Sequence, residues 1–405
     1  MTAVADDRRS ITTLREVVGW LAPIVRGPGS AGEAEAAAWL GERLRAAGAD
    51  EVKVEPATYR PGFAPLIAGL CGTATALGVA ALRRDRAARP LAAAGGLLTA
   101  AAIADDCSNG PRVMRRLLTR PQRTQNVVAR IGDPDAPQTL VVLAHHDAAA
   151  TGFIFDQRLS YAVAERFPGL IARTDTAPPM WLAVMSGPVL IGLGSLLGSR
   201  WLTRAGVALG GFATAAVGDI ARGRVVPGAN DNLSACAVLV AAAERLKEQP
   251  IDGVRVLLVS CGAEEVCQGG IYSFLEDHRD ELPRDSTKVL NIDTVGSPHL
   301  VMLEGEGPVV MEDYPDPSFR DRVSAAAERA GVTLRRGARA TSSTDSVVMA
   351  RAGYAVTTLV SFDYAKQLSN YHQMTDTAEN LNYETVAEAL EVTLALAADL
   401  AQDRD

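Results

Sequence analysis

Histidine is scarce in this chain of 405 residues, which holds five, and aromatic residues make up only 5%. The five cysteines, Cys71, Cys107, Cys236, Cys261 and Cys267, are scattered and odd in number. That argues against a disulfide framework and for reduced thiols. Cys261 and Cys267 lack C-x-x-C spacing, so a structural zinc ribbon is not expected. No Lys/Arg block is long enough to form a nucleic-acid footprint, and the net charge is −8. The opening segment, MTAVADDRRSITTLREVVGW, has no continuous apolar stretch and is not read as a signal peptide.

What is present in excess is charge-free sequence, and it is local. Residues 63–82 (FAPLIAGLCGTATALGVAAL) carry no charge, and RRDRAAR separates them from PLAAAGGLLTAAAIA at 90–104. The pattern repeats as an uncharged run from Thr176 to Ser199, then RWLTR, then AGVALGGFATAAVG at 205–218. Each pair reads as an apolar helical hairpin with a basic tip. Two of the four runs reach the ~20 residues a bilayer crossing needs, and small residues suit close helix packing in lipid. Membrane association is therefore expected ahead of a soluble bundle or a dimer interface, with a cytoplasmic location otherwise. One tension stands: basic tips facing the cytoplasm would put the rest of the chain outside, yet no cleavable signal precedes it.

Outside the hairpins, strand and helix patterns alternate. Residues 33–48 read as an amphipathic helix ending at Gly48, followed by strand-like EVKVEPA. Strands are expected at 125–131, 139–145, 254–261, 288–293 and 355–361, with helices at 233–247, 316–331 and 383–402. Near-continuous Val/Leu strands between helices predict an α/β fold, a mostly parallel mixed sheet covered by helices on both faces. Residues 1–61, 107–174 and 220–405 would form that domain, with 62–106 and 175–219 as hairpin insertions.

In such sheets ligands bind beyond the carboxyl ends of the strands. His145 and Asp147 follow the strand at 139–144, Glu264 and Glu265 follow VRVLLVSC, and Asp293 ends KVLNI. Asp231 sits in PGANDNLSA just before a helix, and His372 lies in the loop after 355–361. Taken singly, each has an ordinary explanation: Asp231, or Asn230 or Asn232, as a helix N-cap, the glutamates as solvated surface, a histidine as a hydrogen-bonding group. Together they supply the imidazole and carboxylate donors that a zinc site needs, and a paired site also needs a bridging carboxylate.

The segments AHHD, PGANDNLSA, GAEE, NIDTVG and YHQMTDT, in that order, resemble the two-zinc aminopeptidases of the clan MH metallopeptidases. Bacterial leucine aminopeptidases, glutamate carboxypeptidase and the one-zinc glutaminyl cyclases are relatives there. The resemblance covers residues 33–60, 120–147 and 225–400. It implies a zinc exopeptidase fold, two Zn²⁺ ions per chain and a peptide or small amide substrate. By position, His145 and Asp293 would hold one zinc, Glu265 and His372 the other, and Asp231 would bridge them. Asp147 matches the acid that orients the ligand imidazole, and His146, pointing the other way along an extended segment, would line or pack. Glu264 matches the general base that activates the zinc-bound water, and Tyr371 a donor to the oxyanion. Asp345, in SSTDSVV, matches a motif near the site and is given no role. His278 and His299 carry no motif.

The sequence departs from the family at Ala235 and at Cys267, where glycine is usual. It also sets Asn230 83 positions after Asp147, a gap that the second hairpin fills. A lid, a membrane anchor or a homodimer contact would each account for the hairpins. The reading is an aminopeptidase. Carboxypeptidase-type cleavage, hydrolysis of another amide and glutaminyl cyclisation are rivals in chemistry, and a receptor on a catalytically dead peptidase fold is the rival in class.

Overall fold

A computed structural model of the chain describes residues 2–83, 87–174 and 180–403. Nine strands form one mixed sheet. They are β1 (Glu51–Tyr59), β2 (Gln122–Ile131), β3 (Gln138–His145), β4 (Val254–Cys261), β5 (Thr287–Ile292), β6 (His299–Glu306), β7 (Glu312–Asp313), β8 (Arg335–Ala340) and β9 (Ala355–Phe362). Their order is β1-β2-β4-β3-β5-β9-β6-β7, with β8 beside β6. The four central strands β4, β3, β5 and β9 are mutually parallel, whereas β1, β2, β6 and β7 add antiparallel flanks. The expected parallel character therefore holds for the centre and for the β6–β8 pair at one edge. The physical reason lies in the side chains: β3 is buried from Thr139 to His145, while β1 alternates exposed and covered residues as a half-solvated flank does.

The helices are α1 (Thr2–Leu21), α2 (Ala31–Ala46), α3 (Phe63–Arg83), α4 (Ala88–Cys107), α5 (Val113–Leu118), α6 (Arg158–Arg166), α7 (Pro168–Ala172), α8 (Met180–Leu196), α9 (Arg200–Ile220), α10 (Ser234–Glu248), α11 (Gly270–His278), α12 (Pro317–Arg329), α13 (Asp345–Arg351) and α14 (Tyr383–Leu400). Leu140 and Val142 point to one face of the sheet, where α1, α2, α10, α12 and α14 cover them. Val141 and Leu143 point to the other, beneath α11 and α13. This is the strand alternation that a sheet covered on both faces requires. The segment 2–21, read from sequence only for what it lacked, is a helix that buries Leu14, Val17, Val18 and Leu21 against α10 and α14.

The four apolar helices close on one another. α3 packs on α4 and α9, and α8 on α4 and α9, giving a ring of four beside the sheet. The carboxyl end of α3 meets the amino end of α9 at one end of the ring, where Arg200 Nη2 donates to Leu82 O at 3.0 Å. The roots meet at the other end, where Phe63 and Trp181 stack edge-on at 5.4 Å. Thr176–Pro179 of the second charge-free run and Arg84–Arg86 of the first tip lie outside the described residues.

Candidate metal centre

The site forms where the carboxyl ends of β3, β4 and β5 meet two loops. His145 ends β3, and its Nε2 lies 3.2 Å from Asp231 Oδ1. Asp231 Oδ2 lies 3.1 Å from His372 Nε2, which is itself 3.3 Å from Glu265 Oε2. The two oxygens of Asp231 thus face two different histidines. Donor atoms of His145, Asp231 and Asp293 lie within 4.8 Å of one another, as do those of Asp231, Glu265 and His372. Asp231 belongs to both groups.

Neighbouring residues fix each of these side chains. Asp231 is not a helix cap, since α10 begins at Ser234 and no side chain caps it. Its neighbours work instead: Asn232 Nδ2 donates to Ile292 O and Asn232 Oδ1 accepts from Thr294 N–H, both at 3.0 Å, bracketing Asp293. Asn230 Oδ1 accepts from Gly296 N–H at 2.6 Å, and its Nδ2 donates to Ser369 O at 3.0 Å, near His372. Asp376, in the motif YHQMTDT, accepts the N–H groups of Asn230 and Asp231 at 2.7 and 3.1 Å. The Asp231–Asn232 peptide is cis. Asp147 lies 3.3 Å from His145 Nδ1 and accepts the N–H groups of Glu264 and Glu265 at 3.0 Å each. His146 turns away, as expected of an extended segment, with Nδ1 3.0 Å from Ser260 Oγ.

Besides Asp376, three supporting residues escaped the sequence reading. Arg26, fully buried, donates to His146 O, Pro227 O and Gly228 O, joining the end of β3 to the loop that carries Asp231. An arginine inside LAPIVRGPG was the available signal. Glu33 accepts from Ala263 N–H at 2.7 Å, just before Glu264, and from Thr124 Oγ1. Gln268 Nε2 donates to Glu264 Oε1 at 2.7 Å, while its own Oε1 accepts from Asn109 Nδ2. Asn109 in turn accepts from Arg112 Nη2 at 2.5 Å.

Electrostatics identify what the cluster lacks. Asp147, Asp231, Glu264, Glu265, Asp293 and Asp345 crowd one region against two imidazoles. Burial raises Glu264 well above its ordinary value, with Asp345, Asp293 and Glu265 adding to the effect. Burial likewise lifts Glu265 to about 7, Asp293 to about 6 and Asp345 to about 7. Asp231 moves the other way: burial would raise it, but His145 and His372 outweigh that and hold it low. Carboxylates buried together cost free energy unless a cation neutralises them. Glu265 Oε1 and His372 Nε2 are buried without a hydrogen-bond partner among the described residues. Orphaned donor atoms, mixed imidazole and carboxylate ligands and a shared carboxylate fit a pair of divalent metals, with zinc suited to the N/O set.

A cavity of about 60 Å³ lies over His145, Asp231, Asp293 and Glu264. It adjoins a larger one of about 330 Å³, walled by Phe63, Trp181, Val184, Val217 and Ile220 from the helix roots and by Glu264, Tyr371 and His372 from the site. No Lys or Arg lines either cavity among the described residues. Tyr371 stacks on His372 at 3.8 Å, and Phe155 packs edge-on against both rings. Asp345 heads α13 near the cluster, and His278 lies apart from it, paired with Glu55 and Glu281.

Residues 214–397 match the profile of peptidase family M28. That segment carries Asp231, Glu264, Glu265, Asp293, Tyr371 and His372; His145 and Asp147 precede it. No curated protein matches the sequence. Among solved structures, LapB from Legionella pneumophila superposes with a TM-score of 0.56 at 13% identity, over 97% of this chain and 72% of that one. The glutaminyl cyclase of Bacteroides thetaiotaomicron gives 0.55 at 13% identity, over 96% and 97%. The zinc aminopeptidase BSAP of Bacillus subtilis gives 0.55 at 14% identity, over 97% and 95%. At such identities the likeness speaks for the fold, a mixed sheet flanked by helices. The profile of peptidase family M28 thus matches the segment that carries most of the cluster, residues 214–397, and the fold around it is that of zinc exopeptidases.

Proposed function

We propose that the protein is a two-zinc aminopeptidase that removes residues with apolar side chains from peptides or related small amides. The observation that carries this is the placement of Asp231, each of whose oxygens faces a different histidine. In this reading His145 and Asp293 hold one zinc, Glu265 and His372 hold the second, and Asp231 bridges. When bound, the metal pair supplies Lewis acidity to the scissile carbonyl and lowers the pKa of the attacking water.

The chain's own residues do the rest. Glu264 Oε1 is held by Gln268, which leaves Oε2, 3.9 Å from His145 Nε2, to take the proton of the water and pass it to the leaving amine. Asp147 orients His145 through Nδ1. Tyr371, which lines both cavities, would donate to the developing oxyanion in this reading. The acid-rich cavities, lined by no lysine or arginine among the described residues, suit a substrate bearing a free ammonium and disfavour one bearing a carboxylate, which supports amino- over carboxypeptidase action. The large cavity's apolar wall suits an uncharged side chain. The division into a peptidase domain (1–61, 107–174, 220–405) and two hairpins (62–106, 175–219) belongs to the same proposal, supported by the four apolar helices packing chiefly on one another.

The test is metal stoichiometry together with hydrolysis of aminoacyl-anilides and their N-blocked counterparts, wild type against Glu264→Ala. Two zinc ions, cleavage of free-amine substrates alone, and loss of turnover with metal retained in the variant are expected. Binding of no metal would overturn the proposal and favour a receptor on a dead fold.

A further inference from the structure

The four-helix bundle shows more apolar surface than a water-soluble bundle does. Soluble bundles bury their large apolar side chains between helices. Here the interior is small: a Cβ added to Gly187 would sit 2.4 Å from Gly210 N, and one added to Gly96 would sit 2.6 Å from Gly192 N. The backbones touch. Many large side chains face outward, with Leu98 70% exposed on α4, Leu196 66% on α8 and Trp201 74% on α9, while Ile67, Ile103 and Ile191 are buried between the helices. Leu91, Leu182, Leu209 and Phe212 are exposed as well. This apolar coat runs over three of the four helices, so a single partner face would leave part of it in water.

A second observation is independent of side-chain size. The hydroxyls of Thr73, Thr75, Thr203 and Thr214 each donate to a carbonyl of their own helix four residues earlier. Polar groups that satisfy themselves within one helix need no water. Among the described residues α3 is the one helix long and apolar enough to cross by itself. The charge-free stretches 90–104 of α4 and 205–218 of α9 span about 22 and 21 Å at roughly 1.5 Å per residue and need their flanking residues to complete a crossing. Arg89, Arg200 and Arg204 bound them at the tip end, where long side chains reach the headgroups of a hydrocarbon layer about 30 Å thick. Trp201 stands at that same boundary, a position favoured for aromatic residues in membranes.

We propose that α3, α4, α8 and α9 cross a lipid bilayer as a glycine-cored bundle, with the basic hairpin tips and the sheet in water on opposite sides. The full chain, purified in detergent and returned to phosphatidylcholine vesicles, is tested by flotation and by a charged maleimide. Three variants carry a new thiol: Leu98→Cys and Leu209→Cys on the outer face and Ala87→Cys at the tip. The expected result is that wild type floats with the vesicles and resists alkaline carbonate. Labelling above that of the unsubstituted chain should be lost at 98 and 209 and retained at 87 once the vesicles are opened. A chain that is monodisperse without detergent or lipid and labels at all three positions would overturn the proposal. So would a lipid-free dimer with 98 and 209 shielded, which would assign the coat to a second copy of this chain.

Discussion

Asp147 Oδ1 accepts the backbone N–H of Glu264 at 3.0 Å while lying 3.3 Å from His145 Nδ1. One carboxylate therefore sets the ends of two adjacent parallel strands, and the second oxygen extends the grip to Glu265. An asparagine has a single acceptor where both carboxylate oxygens are used. Asp147→Asn is expected to weaken zinc binding on the order of 10- to 100-fold, the usual effect of removing an orienting partner. Competition with a chromophoric chelator measures it, and unchanged affinity would remove Asp147 from the orienting role.

Gln268 gives a different signature. It touches Glu264 and no candidate ligand, so Gln268→Leu should leave metal content and KM near wild type while kcat falls about tenfold, as the loss of ~1–1.5 kcal/mol implies. Steady-state kinetics with metal analysis on the same preparation separates the cases. A fall in metal content would make Gln268 a general structural support.

The apolar cavity predicts specificity. Ile220 lines it from the root of α9, and a larger side chain there takes space from the substrate. Ile220→Trp is expected to lower kcat/KM for leucyl- and phenylalanyl-anilides on the order of 10- to 100-fold relative to alanyl-anilide. An equal loss on all three would mean that the cavity does not receive the side chain.

Far from the site, His278 makes stability depend on pH. Burial works to lower its pKa, but Glu55 and Glu281 outweigh that and hold it above the ordinary histidine value. A folded-state pKa raised in this way contributes stability that is fully present below about 6.5 and is lost as pH rises through the folded-state value. His278→Gln should therefore lower the melting temperature by a few degrees at pH 6, and the gap should narrow in alkaline buffer. A gap independent of pH would assign the residue to packing alone.

The sequence made the candidate site legible because each chemical group stands beside a strand or helix end that hydrophobic patterning can locate. His145, Asp293 and the Glu264–Glu265 pair all follow Val/Leu runs. Their supports are another matter. Arg26, Glu33 and Asp376 act by hydrogen bonding to backbone groups far along the chain, and nothing in their own neighbourhoods announces those partners. Asn230 and Asn232 looked like caps because a helix follows them, whereas their side chains pin the loop after β5. β8 (RRGARA) offers no apolar alternation at all and exists through its pairing with β6. The four charge-free runs were visible as helices, but local sequence does not encode which helix faces which, so their closure into one ring emerged only in three dimensions.

The hydrogen-bonded line from Arg112 through Asn109 and Gln268 to Glu264 begins just past the foot of α4 and ends on the proposed base. The roots of α3, α8 and α9 meanwhile wall the larger cavity. Excising the hairpins to obtain a more tractable fragment would strip one side of the cavity and unmoor the outer end of that line. On the proposed function, what remained would select its substrates differently, and its kinetics would not report on the parent. For anyone engineering this chain, the bundle and the sheet are a single working part.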